Sequence, residues 1–364
     1  MNNALTRIED GEHSVTTYDF DARNLLVAEH FPPGKASITN TRTYFYDDGR
    51  RLRTRVDQTN FVTSYGYDHA NRLTTRLYRD RQYDIFGYDD ASRLTTASST
   101  RYANSIVRVY DAAGRLTSER QTIGGAAYTV GYAYDDANRQ VDVTYPDGKH
   151  VARAFTARDQ LEWVRYDDAL VASRQYDPGM RLTTTNYGNG VREARTYRTD
   201  NLVESIVAPG VTDFFYTYNA VKSKVTERDA ALTAVVTQNF AYDAEQRLTS
   251  WNNGPNTQAW TLTTVGDWQN TTRNGILENR THTPVHEINT ITTGAVTIPL
   301  QYDAKGNLTQ NENGAVYAWD PENRLASATI RDDDEGITGI ATYAYDALGR
   351  RVSKSVWGVT TTFI

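Results

Sequence analysis

Tyrosine, aspartate and arginine recur together along this chain at a spacing that could serve acid–base chemistry. The segment Tyr67–Leu73 reads aromatic, Asp, two variable residues, Gly or Asn, Arg and Leu, and this motif returns about every 21 residues. Two carboxylates at a suitable separation carry out glycoside hydrolysis. A tyrosine base beside an arginine or histidine that neutralises a uronate would suit a polysaccharide lyase. A polysaccharide-cleaving lyase or hydrolase is therefore one hypothesis, although the repeat itself demands the same residue types.

A second candidate for chemistry is a pair of histidines. His282 and His286 stand close to Glu287, which places two imidazoles and a carboxylate within six residues. A zinc protease needs such ligands on a helix in HExxH spacing, and Pro284 disfavours that helix. His282 falls instead at the aromatic position of the motif, and His286 falls at its fifth position. We therefore predict a degenerate copy of the motif here, and no metal site.

The residue types of the motif follow from a turn between two strands. Aspartate at the second position accepts hydrogen bonds from the backbone N–H groups that follow it, as in an Asx turn. Glycine, asparagine or serine at the fifth position adopts a left-handed conformation at little cost. Arginine at the sixth position is expected to reach a neighbouring aspartate across the sheet, while the aromatic residue and leucine supply the buried face. The structural repeat is assigned to Tyr67, Asp68, Arg72, Leu73, Tyr88, Asp89, Arg93, Tyr110, Asp111, Gly114, Arg115, Tyr134, Asp135, Arg139, Tyr176, Asp177, Arg181, Tyr242, Asp243, Arg247, Tyr302, Asp303, Gly306, Tyr345, Asp346, Gly349 and Arg350.

The stretches between motifs predict β-hairpins. Residues 140–145 alternate as a half-buried strand does, and residues 146–148 form a Pro-Asp-Gly turn in which Pro presets φ and Gly supplies a positive φ. We expect an all-β fold, an antiparallel hairpin repeat array of about sixteen units over residues 1–364, with residues 249–300 irregular. Because strands twist, such an array should coil into a β-spiral or partial shell.

Composition narrows the function classes. Lys and Arg total 39 against 45 Asp and Glu, a net charge of −6 with no basic block for nucleic acid. The absence of cysteine leaves no disulfide framework and no thiolate metal site. No window approaches the roughly 18 apolar residues of a transmembrane helix, and the N-terminus lacks the pattern of a signal peptide. We predict no cofactor and no nucleic-acid partner.

The irregular stretch of residues 249–300 contains three tryptophans, Trp251, Trp260 and Trp268. Exposed aromatic rings on a sheet stack well on sugars, which makes these residues a possible glycan-binding site. The competing interpretation is that tryptophan replaces tyrosine in the aromatic row, as Trp319 does. A glycan-binding or cell-surface interaction module is therefore the alternative function.

From about Tyr18 to the C-terminal end, the repeated motifs resemble those of the RHS/YD-repeat family. That family includes bacterial polymorphic toxins, shell components of insecticidal toxin complexes and teneurins. The resemblance implies a β-spiral wound into a hollow cocoon, which in toxin members holds a toxic C-terminal segment, and it favours a secreted or cell-surface location. Residue 364 still lies within the repeats, and nothing after Tyr345 matches the closing segment of the family. Self-cleavage is therefore transferred to no residue of this chain.

The leading hypothesis is a non-enzymatic repeat scaffold with no catalytic residue. It would form part of a shell that encloses or presents a polypeptide cargo such as a toxin. Its partners would be that cargo or a neighbouring shell segment. Because both ends interrupt the repeat pattern, we expect the chain to be a fragment of a longer array.

Overall fold

The computed structural model describes residues 4–36, 39–231, 235–332 and 336–364. Within these residues every helix or strand is a β-strand, and the strands number 35. The predicted all-β antiparallel repeat array is confirmed. Among the same residues, no helix has the length and apolar character that crossing a membrane would require.

The first 28 strands form one sheet. In chain order they are β1 (Arg7–Glu9), β2 (Val15–Phe20), β3 (Leu26–His30), β4 (Thr41–Tyr46), β5 (Leu52–Val56), β6 (Val62–Tyr67), β7 (Leu73–Tyr78), β8 (Tyr83–Tyr88), β9 (Leu94–Ser99), β10 (Asn104–Tyr110), β11 (Leu116–Ile123), β12 (Ala126–Tyr134), β13 (Gln140–Thr144), β14 (His150–Phe155), β15 (Leu161–Tyr166), β16 (Ala169–Tyr176), β17 (Leu182–Tyr187), β18 (Arg192–Tyr197), β19 (Val203–Ala208), β20 (Thr212–Tyr218), β21 (Lys224–Asp229), β22 (Val236–Tyr242), β23 (Leu248–Asn252), β24 (Thr257–Leu262), β25 (Trp268–Arg273), β26 (Ile276–His282), β27 (Ile288–Thr293) and β28 (Val296–Pro299).

Two smaller sheets follow. The first contains β29 (Gln301–Tyr302) and β30 (Leu308–Gln310), and the second contains β31 (Tyr317–Trp319), β32 (Leu325–Asp332), β33 (Gly336–Tyr345), β34 (Arg351–Val356) and β35 (Val359–Thr362).

Within each sheet, strands that follow one another in the chain pair antiparallel, and the motif forms the turn between two of them. Tyr67 ends β6 and pairs with Leu73, the first residue of β7, and the register shifts by a bulge between Gly66 and Tyr67. Tyr88 and Leu94 pair in the same way across the next motif. Because a bulge increases the local twist, its return at each motif adds twist at regular intervals.

The second kind of turn lies between motifs, as residues 145–149 illustrate. The N–H of Tyr145 donates to the carbonyl of Lys149 at 2.7 Å, and the N–H of Gly148 donates back to Tyr145 at 2.9 Å. Gly148 has a φ of +85°, a conformation that favours glycine. The predicted Pro-Asp-Gly turn is confirmed.

The chain divides into two compact units. Unit 1 comprises Met1–Thr129, Thr263–Asp267 and Asn279–Ile364, and unit 2 comprises Val130–Leu262 and Trp268–Glu278. The core of unit 1 is a buried cluster of Phe86, Ala97, Ile106 and Ala347, on which Leu73, Tyr88 and Leu94 pack. The buried side chains of unit 2 are small or polar, namely Val130, Val143, Ala172, Thr184, Thr185, Ser205, Ala208 and Thr271.

Candidate functional site: the repeat turns, their contacts and the exposed sheet face

The aspartate of the motif is occupied by the backbone of its own turn. Oδ1 of Asp68 accepts hydrogen bonds from the N–H groups of Ala70 and Arg72, each at 2.9 Å. The Arg72 bond is the main cause of the low pKa of Asp68, which lies below its ordinary value of 3.8. An aspartate held in this way is an ionised turn cap, because its lone pairs are already used. The fifth position has a positive φ at Asn24, Asn71, Ser92, Gly114, Asn138, Asn201, Gly306, Asn323 and Gly349, and also where another residue type stands there, as at Arg50, Asp159, Met180, Lys222 and Gln246.

The arginine of the motif pairs with the aspartate of the same motif and then contacts the next one. Nε of Arg72 donates to Oδ2 of Asp68 at 2.7 Å, and Nη1 donates to the backbone carbonyl of Asp89 at 2.7 Å. The guanidinium also lies 5.0 Å from the ring centroid of Tyr88. At Arg72 the expected contact with a neighbouring carboxylate is not made, because the turn brings its own aspartate closer, whereas Arg139 also reaches Asp159 of the next motif at 2.7 Å. Pairing within the motif at 2.7 Å recurs at Arg51, Arg93, Arg115, Arg139, Arg181, Arg247 and Arg324.

The aromatic residue connects each motif to the preceding one. The hydroxyl of Tyr67 donates to the carbonyl of Leu52 at 3.0 Å, and Trp319 donates its Nε1–H to Leu308 at 2.8 Å in the same role. Burial raises the pKa of Tyr67, so its phenol stays protonated, which is the opposite of the shift that a tyrosine base needs. The tyrosines that donate to a carbonyl in the same way are Tyr46, Tyr110, Tyr176, Tyr197, Tyr218, Tyr242, Tyr302 and Tyr345.

The histidine pair occupies a degenerate motif, as the sequence predicts. The N–H of His286 donates to the carbonyl of Thr283 at 2.9 Å, and His286 has the left-handed φ of the fifth position, 65°. Its imidazole bridges two carboxylates of unit 1, with Nδ1 2.7 Å from Oδ2 of Asp267 and Nε2 2.8 Å from Oδ2 of Asp10. Within the described part of the chain, no group of three or more His, Asp or Glu side chains is arranged to hold a metal ion.

The imidazole of His286 is therefore placed as a cation between two anions. The hydrogen bond to Asp267 is the main cause that raises its pKa above 6.5, and the bond to Asp10 adds to it. Burial lowers the pKa of the neighbouring His282, which keeps that ring neutral. The two histidines thus differ in the direction of their pKa shift, and His286 connects three turns.

The three tryptophans of the irregular stretch do not occupy the aromatic position of the motif. Trp268 pairs with Leu262 across a turn, so it takes the leucine position. Trp260 is half-buried, with its ring 5.9 Å from that of Trp268, and Trp251 is half-buried and donates to Gln238 at 2.9 Å. Only Trp268 is classed as exposed, at 41% of its surface. The glycan-binding assignment stays a prediction, and of the three tryptophans Trp268 alone is exposed enough to stack on a sugar.

In unit 1, strands near the N-terminal end contact the motifs near the C-terminal end through partly buried charges. Glu322 accepts from Arg55 at 2.8 Å and from Arg76 at 3.4 Å. Arg76 also pairs with Asp84 at 3.0 Å and donates to the carbonyl of Ala347 at 2.9 Å. These contacts bring together parts of the chain that lie more than 240 residues apart in sequence.

A second cluster of the same kind surrounds Glu119. Its carboxylate lies 2.8 Å from Arg108 and 2.8 Å from Arg350. Burial alone would raise the pKa of Glu119, but hydrogen bonds and charge from the two arginines outweigh it and lower the pKa. Close by in sequence, Asn104 donates to the carbonyl of Tyr345 at 2.8 Å.

Sequence reasoning missed these charged residues because the motif does not contain them. Arg55, Arg76 and Glu119 each lie three residues after the leucine of a motif, on the more buried face of the sheet. A charge at an inward strand position is costly unless it is paired. A charged residue at such a strand position was therefore a sign of a buried ion pair. It would have pointed to Arg55, Arg76 and Glu119, but not to the residues with which they pair.

The opposite face of the same strands is exposed and has few charged residues. Cross-strand partners have their side chains on the same face of a sheet. Leu77 lies opposite Tyr83, and Thr96 lies opposite Val107, on the exposed face. Thr54 and Ser64 lie on the same side. We call this surface the aliphatic face; its large residues, exposed by 40 to 55%, are Phe45, Leu77, Tyr83, Ile85, Val107 and Val109.

Comparison with known proteins agrees with this architecture. The family model named RHS Repeat matches residues 110–150. No curated protein sequence matches significantly. The resemblance to the RHS/YD-repeat family is confirmed by that match and by the shared fold of the solved structures below.

Several solved structures share the fold at low sequence identity. The crystal structure of TcdB2-TccC3-Cdc42 has a TM-score of 0.75 at 14% identity, over 94% of this chain and 22% of that one. The Photorhabdus luminescens Tc holotoxin pore has a TM-score of 0.60 at 15% identity, over 94% of this chain and 23% of that one. TcdB2-TccC3 without its hypervariable C-terminal region has a TM-score of 0.61 at 15% identity, over 95% and 23%. This chain thus spans less than a quarter of the length of these relatives.

Proposed function

We propose that this chain is a structural segment of an RHS-type shell, and that it holds a partly unfolded polypeptide against its aliphatic face. The observation that carries the proposal is the asymmetry of strands β4–β10 in unit 1. One face is buried against residues 279–364 through paired charges, while the other exposes an apolar surface. A surface of that kind on a soluble protein commonly marks an interaction site.

The chemistry of the aliphatic face suits a polypeptide held by many weak contacts. Aliphatic side chains such as Ile85 and Val107 alternate with hydroxyl groups such as Thr96 and Ser98 across neighbouring strands. Contacts with exposed apolar groups are non-directional, so they accept varied sequences. The hydroxyl groups donate or accept hydrogen bonds to an extended backbone without demanding a particular side chain.

The relatives support a polypeptide partner. One is the pore of a Tc holotoxin, and another contains Cdc42 together with TcdB2 and TccC3. By analogy, the partner of this chain would be a toxin-like cargo or a neighbouring shell segment. The same analogy favours a scaffold without catalytic residues.

Binding of an unfolded chain tests the proposal. Fluorescence anisotropy would follow labelled, reduced and carboxymethylated α-lactalbumin, which remains unfolded, as it is titrated with the protein. The double variant Ile85→Thr/Val107→Thr keeps β-branched side chains but removes apolar surface. We expect the loss of that surface to cost about 1.4 kcal/mol of binding free energy, which corresponds to about tenfold weaker binding. Val211→Thr, at a residue that is 60% exposed in unit 2, is the matched control and should bind as the wild type does. Equal affinity for all three proteins, or no binding at all, would contradict the proposal.

Glycan binding remains a lesser alternative and gains nothing from the relatives. A glycan array without hits, together with unchanged adhesion of Trp251→Ala and Trp260→Ala variants, would remove it. A polysaccharide-cleaving enzyme would be dismissed if a broad substrate panel yielded neither new reducing ends nor unsaturated products.

A further inference from the structure

A polar cleft of about 310 Å³ lies in unit 1, apart from the aliphatic face. Its apolar wall is formed by Phe31, Pro32 and Val285, and its polar lining includes Gln58 and Glu287. We call it the Glu287 cleft. It shares no residue with the aliphatic face, so binding in it does not depend on the proposed shell function.

The cations that line the Glu287 cleft already have partners. Arg42 donates to Oε2 of Glu29 at 3.1 Å. Lys305 donates to the carbonyl of Pro321 at 3.0 Å and lies 3.4 Å from Oδ2 of Asp57. The positive charges in the lining are therefore neutralised from within the protein.

The acceptor groups of the cleft are less fully used. Gln58 is 8% exposed, and its Oε1 is buried without a hydrogen-bond partner, as is Oδ1 of Asn40. Buried polar atoms of this kind normally have a partner. Both residues are part of the lining of the cleft, so a bound molecule with hydrogen-bond donors would supply the missing partners.

The third acceptor is the carboxylate of Glu287, which is also 8% exposed. Its Oε2 accepts from the N–H of Lys35 at 2.8 Å and from the hydroxyl of Thr283 at 3.1 Å. Its Oε1 faces two glycines, so that a Cβ on Gly34 would lie 3.1 Å from it and one on Gly306 would lie 3.5 Å from it. The absence of side chains at these two positions leaves space beside a buried anionic oxygen.

We propose that the Glu287 cleft binds a guanidinium group. The guanidinium is planar and cationic, with five N–H donors and no acceptor, which complements one carboxylate and two amide oxygens. The apolar wall formed by Phe31, Pro32 and Val285 suits the aliphatic stem of an arginine-like molecule. An anionic ligand is disfavoured by Glu287 and finds no unpaired cation among Arg42 and Lys305.

The test compares two probes of the same shape. Isothermal titration calorimetry on the full chain would use N-acetyl-arginine amide and N-acetyl-citrulline amide, which differ in the charge of the terminal group. We expect saturable binding of the arginine compound and at least tenfold weaker binding of the citrulline compound. Equal binding of both, or no saturable binding of the arginine compound, would overturn the proposal.

Two variants link the binding to the cleft. Gln58→Leu removes an unpaired buried acceptor and should leave the melting temperature unchanged or raised while weakening binding at least tenfold. Glu287→Gln should weaken binding similarly. Gln269→Leu, at an exposed position in unit 2, is the control and should bind as the wild type does. Unchanged binding by folded Gln58→Leu protein would contradict the assignment.

A further arm identifies the source of the guanidinium. A capped Ala-Ala-Arg-Ala-Ala peptide that binds more tightly than N-acetyl-arginine amide would assign the cleft to an arginine of a polypeptide. Tighter binding of the small compound would assign it to a free guanidinium metabolite.

Discussion

The regular motifs of residues 46–116 and the degenerate motifs that begin at Leu262 and His282 form the same turn. They carry opposite charges at the sixth position of the motif. In the regular motifs the sixth residue is an arginine that pairs with the aspartate four residues earlier. In the degenerate motifs the sixth residue is acidic, Asp267 or Glu287. Each has a hydrogen-bond partner outside its own motif, His286 for Asp267 and the N–H of Lys35 for Glu287, and Glu287 also accepts from Thr283 within its motif.

A degenerate motif is therefore not simply a weaker one. Asp10 lies in a motif-like turn whose arginine position is occupied by Ser14, which leaves one carboxylate oxygen available to His286. Loss of the motif's own ion pair thus accompanies the gain of a contact more than 250 residues away in sequence. The arginines of the regular motifs in residues 46–116 contact the neighbouring motif, as Arg72 does, whereas Asp10 and His286 join turns that lie far apart in the sequence of unit 1.

The largest loss of stability is expected from substitutions in the cores of the two regions. Ile106→Ala should lower the free energy of unfolding by about 3–4 kcal/mol, because Ile106 is 2% exposed and belongs to the buried cluster. Ile291→Ala, at a residue that is 8% exposed in the degenerate region, should cost about 2 kcal/mol. Urea denaturation followed by circular dichroism measures both. Equal losses would mean that the two regions are packed equally well.

The charged contacts of unit 1 should contribute less than its core. Glu322→Gln leaves Arg55 and Arg76 with a neutral partner and should lower the free energy of unfolding by about 1–2 kcal/mol. Glu245, also at the fourth position of its motif, is 65% exposed at its side chain and lies 3.6 Å from Arg247. Glu245→Gln should therefore change stability too little to measure. A Glu322 effect that vanished in the same way would remove the claimed role of these charges.

A smaller effect is expected from the backbone of the turns. Gly266 holds the fifth position of a degenerate motif at a φ of 98°, whereas Ser92 holds the same position at 62°. Gly266→Ala should cost about 1 kcal/mol, because a side chain is disfavoured at that φ. Ser92→Ala should cost less, and thermal unfolding of both variants gives the comparison. A greater loss from Ser92→Ala would show that the hydroxyl, not the backbone, decides stability there.

The smallest expected effect is a difference in how the stability of the two regions depends on pH. The folded pKa of His286 is raised above 6.5 by Asp267 and Asp10, so its stabilisation is complete below about pH 6.5 and is lost as pH rises through the raised value. The pKa of Asp68 is lowered below 3.8, so its contribution is present above that value and is lost as pH falls through the lowered one.

Melting temperatures between pH 5.5 and 8.5 measure the His286 contribution. His286→Asn keeps a residue type that suits a positive φ and does not titrate. The difference between wild type and this variant should shrink as pH rises, and His282 is present in both proteins, so its own titration largely cancels. A difference that grows with pH would contradict the bridging role of His286.

The sequence was sufficient to predict what is local to each motif. The Asx turn of Asp68, the positive φ at Asn71 and the hairpin register all follow from residue types a few positions apart. The partner of Arg72 was predicted wrongly, because the choice between two nearby aspartates depends on the geometry of the turn. The contacts of Glu322 and Asp10 were beyond prediction, since no repeat pattern specifies which distant motif faces a given strand. The single-array boundaries and the fragment hypothesis stay predictions.

The central claim is that the aliphatic face holds a polypeptide, and site-specific photo-crosslinking tests it most directly. A benzoylphenylalanine would be introduced at Ile85, and in a second protein at Val211 as the control. Irradiation with unfolded α-lactalbumin should give a covalent adduct at residue 85 and little or none at residue 211. Equal adducts at both positions, or none at residue 85, would contradict the account.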